Sequence, residues 1–489
     1  MLKKVIVVYD DTVEADKLVK NITGPKTFGN TIFKRKTLNR RMTEVLMSNN
    51  FIADIIEYKE GDSVEKLARA LKDAPDNCAV MHLLSNYGIK KMDQFNLLLE
   101  KVQFINKNII VKLEDKTALV LYTSVEEYIS YLNEQQNLDG KISFDKVKDY
   151  DVIYSDSLVD LGELNNFMQF ITGGFDARFF NALEGDEYTV TKRSSNKKKI
   201  KSEYEFYGLL PDNMKMWFVM PFDYKEEEDY ASYTMERYHM TDIAIRWIHG
   251  AINIEELDDI LKRLFHFVST RNTKKVSTSE YEAVEKNLYI TKVKERIQEL
   301  KKSSYYIKFN NFIISGTEFR DIDEIFEKYE VLYAKVKKNI NLQPEFVVGH
   351  GDLCFSNILY NKETSMLKLI DPKGATKEEE LWTNPYYDIA KLSHSICGRY
   401  DFFNSGLYDI KIESDMKLNL LLEFNNEEYV ALFKKYLREY HFDYTLVRLY
   451  ESSLFLSMLP LHMDNPQKVF GFLLNAINIL EEVEKCIQD

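Results

Sequence analysis

The chain has 489 residues, 45% hydrophobic and 13% aromatic, too long for one ordinary core and rich enough to fill two or three. Its 65 Lys plus Arg against 78 Asp plus Glu leave a net −13, which excludes a general nucleic-acid or anionic-membrane binder while leaving room for a local basic patch. Four isolated cysteines (Cys78, Cys354, Cys397 and Cys486) show no metal-ligand spacing, and no apolar run approaches the roughly 18 residues of a bilayer span, so a cytoplasmic protein without membrane insertion is expected.

The opening MLKKVIVVYDDTVEAD has a short β-branched run, Val5 to Tyr9, that breaks into acids, and so reads as a first strand and not a leader. A helix is expected around Arg40 to Ser48, then a strand in FIADIIEY. CAVMHLL, NIIVKL and TALVLY read as buried strands, separated by helical VEKLARALKD and VEEYISYLNEQ. This alternation predicts a layered α/β domain over residues 1–165.

From about residue 170 to 240 the texture changes. The stretch GGFDARFF predicts a turn, Glu187 to Arg193 a strand, and the segment from Lys197 a helix. WFVMPF and YASYTMERY predict two more strands around the acidic loop KEEEDY. Residues 241–489 read as mostly helical, interrupted at 349–374 by GHGDLCFSNILY and LKLIDPKG, with helices resuming from Asp388 to the end.

That interruption carries the chemistry. Phosphoryl transfer needs a cation for nucleotide phosphates, oxygens for Mg²⁺ and a carboxylate facing the attacking hydroxyl. H-x-D-x-x-x-x-N supplies Asp352 for the hydroxyl and Asn357, five residues on, for the metal. Asp371, at the end of the strand-like LKLI, is the second metal candidate, and Pro372 with Gly374 stops that strand. Upstream, Lys192 lies in the strand YTVTKRS and is the candidate phosphate cation. Glu203 is its helix partner, preferred over Glu205 because it shares a helix side with Ile200 and Tyr207. YTMERYHM then becomes the connector, offering backbone groups of Glu236 to Tyr238 to an adenine edge. His350 is read as structural, packing on the strands and bonding a carbonyl, and Asp388 as bonding the backbone of the loop. The cluster Trp382, Tyr386, Tyr387, Tyr400, Asp401 and Phe402 is read as core, with a box for a cationic or sugar substrate as the alternative.

HGDLCFSNILY with LKLIDPKG resembles the aminoglycoside phosphotransferase and choline kinase family, over roughly residues 170–489. The resemblance implies a bilobal α+β protein-kinase-like fold. It makes Asp352 the base or hydroxyl orienter, Asn357 and Asp371 the Mg²⁺ ligands, and Lys192 a contact to ATP. YYDIAKLSHSICGRYDFF is similar to choline-kinase-like enzymes of bacterial surface-polysaccharide gene clusters, which implies a choline-like amino alcohol or a sugar as acceptor. In the first domain, GPKTFGNTIFKRKTLNRRMTEVLMSNNFIADIIEY resembles the Pro-Lys segment of sugar or phosphocholine nucleotidyltransferases, a Rossmann-type layered fold, with Lys26 as the matching lysine. YDDTVEAD stands where that family has a Gly-rich loop, and VMHLLSNYG lacks its metal-binding Asp, so a degenerate relative is expected. A non-catalytic nucleotide-binding scaffold and a bifunctional kinase and nucleotidyltransferase are the competing expectations. A homodimer is left open.

Overall fold

Lys4–Asp11 is buried along nearly its whole length, and a strand hidden on both faces needs a parallel neighbour on each side and cover above and below. The computed structural model describes residues 3–33, 35–75, 77–134, 141–144, 150–171, 183–186 and 188–488. They fall into two compact units, Met1–Arg178 with His249–Ala251, and Phe179–Ile248 with Ile252–Asp489.

In the first unit, Lys4–Asp11 pairs in parallel with Ile52–Lys59 on one side and Cys78–Leu84 on the other. Lys116–Tyr122, Ile109–Leu113 and Asp151–Tyr154 extend the sheet to six strands, with antiparallel pairing on both sides of Lys116–Tyr122. Apolar side chains cluster on both faces, around Val7, Met81 and Phe95 on one and Val8, Val80 and Tyr128 on the other, which gives the layered α/β arrangement its two cores. The acidic end of the first strand is internally satisfied. Asp10 accepts from the Thr12 amide and hydroxyl and meets the His82 ring at 3.0 Å. Asp11 accepts from the Thr27 hydroxyl and the Gly29 amide.

The second unit begins with an antiparallel sheet in the order Leu183–Gly185, Thr189–Ser194, Ala231–Glu236, Pro221–Glu226, with the helix Lys197–Leu209 packed on it. Asn196 starts that helix, its side-chain oxygen accepting from the Lys199 amide. The expected turn at 173–180 and the first residue of the expected strand, Glu187, lie outside the described residues. The rest is predominantly helical around one continuous core that includes Trp247, Phe265, Tyr289, Tyr450 and Phe472. Ile254–Thr270 illustrates the local logic: Asn253 caps it, and Leu257, Ile260, Leu261, Leu264, Phe265 and Val268 form its buried stripe.

Two expectations are corrected. The strand expected in WFVMPF starts only at Pro221 and absorbs Lys225 and Glu226 of the acidic loop. Trp217 to Val219 instead run beside Leu369, with Leu369 N–H donating to Trp217 O and Val219 N–H to Leu369 O, because Phe218 belongs to the helical core. The run of helices after Asp388 is also interrupted, by the ribbon Asp409–Ile412 with Leu418–Leu421. Ile410, Ile412, Leu418 and Leu420 alternate there with polar residues, a period of two that no helix can use.

Candidate functional site

The loop 349–357 leaves the end of Glu345–Val348, a buried strand paired on both sides. Gly351 takes φ +79°, a left-handed turn that lets the chain double back. His350 locks the turn from inside. Its Nε2 donates to Ile370 O at 2.9 Å, its Nδ1 accepts from the Asp352 amide at 3.1 Å, and its ring stacks on Phe218. Burial lowers the His350 pKa, and the two opposite hydrogen-bond roles suit the neutral ring.

The helix Tyr386–Ile396 grips the same loop from the other side. Asp388 accepts from the amides of His350 (2.9 Å) and Gly351 (2.8 Å), and it is itself paired with buried Arg271 at 3.0 Å. One turn on, Lys391 Nζ lies 2.8 Å from Asp352 Oδ1. Another turn on, Ser395 Oγ accepts from the Phe355 amide at 3.0 Å. The spacing i, i+3, i+7 puts all three on one helix face.

Asp352 therefore has both oxygens engaged. Lys391 holds Oδ1, and Asn357 Nδ2 donates to Oδ2 at 3.0 Å and to the Asp352 carbonyl at 2.8 Å. Its side chain is still 41% exposed, so the carboxylate faces solvent. Burial pushes its pKa up, but Lys391, with smaller help from His350 and the Asn357 amide, holds it below the ordinary value. With Nδ2 committed to Asp352, the Asn357 side-chain oxygen is the atom that could face a metal.

Asp371 follows the strand Met366–Leu369 and takes φ +54°, a backbone conformation that a short Asp tolerates better than most side chains. It is tied to the loop through Ile370, whose amide donates to Asn357 O at 3.0 Å. Lys192 meets it from the small sheet, with Nζ 2.8 Å from Asp371 Oδ1 and 2.8 Å from Glu203 Oε2. Glu203 is buried and also accepts from Tyr233 OH at 3.1 Å, across the ladder from Lys192. Burial works against the Lys192 ammonium, but Asp371 and Glu203 outweigh it and raise its pKa. Gly374 lets the chain after Asp371 pass close to the helix bearing Glu203: φ is +85°, a Cβ would stand 2.5 Å from Ser202 Oγ, and the Ala375 amide donates to Ser202 O.

Glu203 and Asp371 border a small cleft open to solvent, with Tyr233 beside them at its polar end and Val219, Pro221, Met235 and Leu369 as apolar wall. Met235 lines it directly. Its neighbour Glu236 pairs with Thr189 across the sheet, and the Tyr238 ring lies 5.4 Å from Lys368 Nζ. For Mg²⁺ the donor chemistry fits: one Asp371 carboxylate oxygen outside the Lys192 pair and the Asn357 amide oxygen are both hard oxygen donors. Among the described residues no group of three or more His, Cys, Asp or Glu forms a self-sufficient metal site.

The expected aromatic cluster does not gather around one space. Tyr386 packs on Phe442 and Tyr450, Tyr387 faces Tyr289, Phe402 lies against Phe424, and Trp382 pairs in a strand with Val348. Tyr400 stacks on His394 at 4.3 Å. Asp401 is buried, and that burial pushes its carboxyl up to about 7, a hydrogen bond from Ser395 opposing it. Lys391 is the site residue missing from the sequence reading. Its signal was present as the third residue after Asp388 in a helix whose face was already assigned to the loop.

No family model and no curated protein matches the chain. Solved structures do resemble it. A thermostable mutant of aminoglycoside phosphotransferase APH(4)-Ia, in ternary complex with ADP and hygromycin B, shares 10% identity at a TM-score of 0.33, covering 64% of this chain and 94% of that one. The ternary complex of APH(2″)-IIa with streptomycin and ATP shares 14% at 0.34, covering 61% and 86%. HddC from Yersinia pseudotuberculosis shares 10% at 0.26, covering 36% and 100%. Likeness at this level assigns neither activity nor substrate to this chain.

Proposed function

We propose that the second unit is an ATP- and Mg²⁺-dependent phosphotransferase acting on the hydroxyl of a small molecule. One observation carries the reading: Lys192, its side chain only 11% exposed, bridges Glu203 and Asp371, which both line the cleft, and Asp371 is tied through Ile370 to the loop that presents Asp352. The Lys192 ammonium meets nucleotide phosphates, and the apolar wall around Met235 and Leu369 takes the base. Asp371 and Asn357 would hold Mg²⁺, which would supply positive charge against the phosphates. Asp352 orients the acceptor hydroxyl. As the hydroxyl oxygen bonds to the γ-phosphorus, the bond to the β,γ-bridging oxygen breaks, ADP leaves, and the hydroxyl proton passes to Asp352 and then to water.

For the acceptor, the resemblance of YYDIAKLSHSICGRYDFF supports a choline-like amino alcohol or a sugar, in service of surface-polysaccharide assembly. In the first unit, the acidic end of the opening strand disfavours a triphosphate there, and we assign it no second activity. The test is to incubate the protein with ATP, Mg²⁺ and a panel of amino alcohols and sugars. Formation of a phosphate ester that is lost in Asp371→Ala supports the reading, and equal formation by both proteins refutes it.

A further inference from the structure

One charge packed against the loop, on the helix Tyr386–Ile396, has no part in the proposed chemistry. Lys391 Nζ is 2.8 Å from Asp352 Oδ1, and its side chain is only 15% exposed. Taking an ammonium out of water is costly, and close pairing must offset it. Holding the loop in place does not require it, because Asp388 already takes the amides of His350 and Gly351, and Ser395 takes that of Phe355. These contacts are all to backbone. Lys391 alone reaches from that helix face to the side chain of Asp352, and it takes the oxygen that Asn357 leaves.

The consequence is geometric. A carboxylate on a short loop can swing about its own torsions, and with one oxygen fixed by Asn357 it could still pivot about that contact. A second fixed point on Oδ1 removes the pivot and leaves the exposed edge of the carboxylate in a single direction. The helix makes this a rigid mount, because Lys391 shares its face with Asp388, which is anchored to buried Arg271.

Building on the phosphotransferase reading, we infer that Lys391 is a positioning residue that fixes Asp352 toward the acceptor hydroxyl. Its effect belongs to the transfer step and not to nucleotide binding, since it contacts neither Lys192 nor Asp371. Loss of orientation of about 1 Å at a reacting centre costs on the order of a hundredfold in rate.

The experiment compares the full-length wild type with Lys391→Met and Lys391→Arg. It measures phosphate leaving ATP with choline, ethanolamine, glucose or water alone as acceptor, and Kd for a fluorescent ATP analogue. The inference predicts that Lys391→Met lowers kcat by about a hundredfold. KM and Kd for nucleotide should stay within about threefold, and Lys391→Arg should recover at least about tenfold of the lost rate by restoring a charged hydrogen-bond donor. A wild-type kcat in Lys391→Met overturns the inference and leaves the phosphotransferase reading standing. Joint loss of kcat and nucleotide affinity without recovery in Lys391→Arg overturns it in favour of a purely structural lysine. No turnover by the wild type with any acceptor overturns the phosphotransferase reading, and this inference with it.

Discussion

Asp401 shows what a helical core does to a carboxylate. It is buried, one of its oxygens has no hydrogen-bond partner among the described residues, and its pKa is pushed up to about 7. A carboxyl that ionises near 4 when unfolded and near 7 when folded binds its proton more tightly in the native state. Its contribution to stability is therefore complete below about pH 4 and is lost as the pH rises through 7. Asp401→Asn should raise stability by about 1 to 4 kcal/mol at pH 8 and change it little at pH 4, as read from urea unfolding at the two pH values. The signs of such effects were not legible in the sequence, where Asp401 stood as the acid of an aromatic cluster with nothing to say how deeply it is buried. Asp352 and Asn357 were legible because five residues of one loop fix their relation, and Asp371 because the next strand returns beside them. Lys391 was not, because its partner lies on a different element and only the packing of that helix brings them together.

At the scale of elements, the helix Tyr386–Ile396 does more than fill the core. Its buried Asp388 carboxylate satisfies two amides of the loop and the buried guanidinium of Arg271. Removing it leaves Arg271 as an unpaired buried charge, and breaking such a pair from one side costs about 3–5 kcal/mol. Asp388→Ala should therefore lose about that much in denaturant unfolding. Unchanged stability would mean that water replaces the carboxylate. Elements were easiest to read where the local pattern ruled, as in the apolar run of Lys4–Asp11 or the helix expected around Arg40 to Ser48, which forms as Leu38–Met47. They were misread where a tertiary partner decided the outcome. Trp217 and Phe218 have the composition of a strand, yet they are drawn against Leu369 and the helical core, and the sheet picks up the chain only at Pro221. The ribbon at 409–421 was overlooked because its alternation is short and sits among long helices.

At the scale of the whole molecule, the two units have separate cores, and the candidate chemistry belongs to the second. If its cleft takes ATP with Mg²⁺, the ligand stabilises the folded chain by mass action, about 2.7 kcal/mol at a hundred times Kd. Thermal unfolding should shift upward accordingly with both present, and the shift should vanish in Lys192→Met. An unchanged midpoint in the wild type would remove nucleotide from the account. Among the described residues no helix is long and apolar enough to cross a membrane. The most direct test of the central claim follows the γ-phosphate of labelled ATP into a carbon-bound hydroxyl across the amino-alcohol and sugar panel, for the wild type and Asp352→Asn. The account predicts an acid-stable phosphate ester from the wild type, formed about a hundred to ten thousand times more slowly by the variant. Equal rates from the two proteins, or no ester from the wild type with any acceptor, would contradict it.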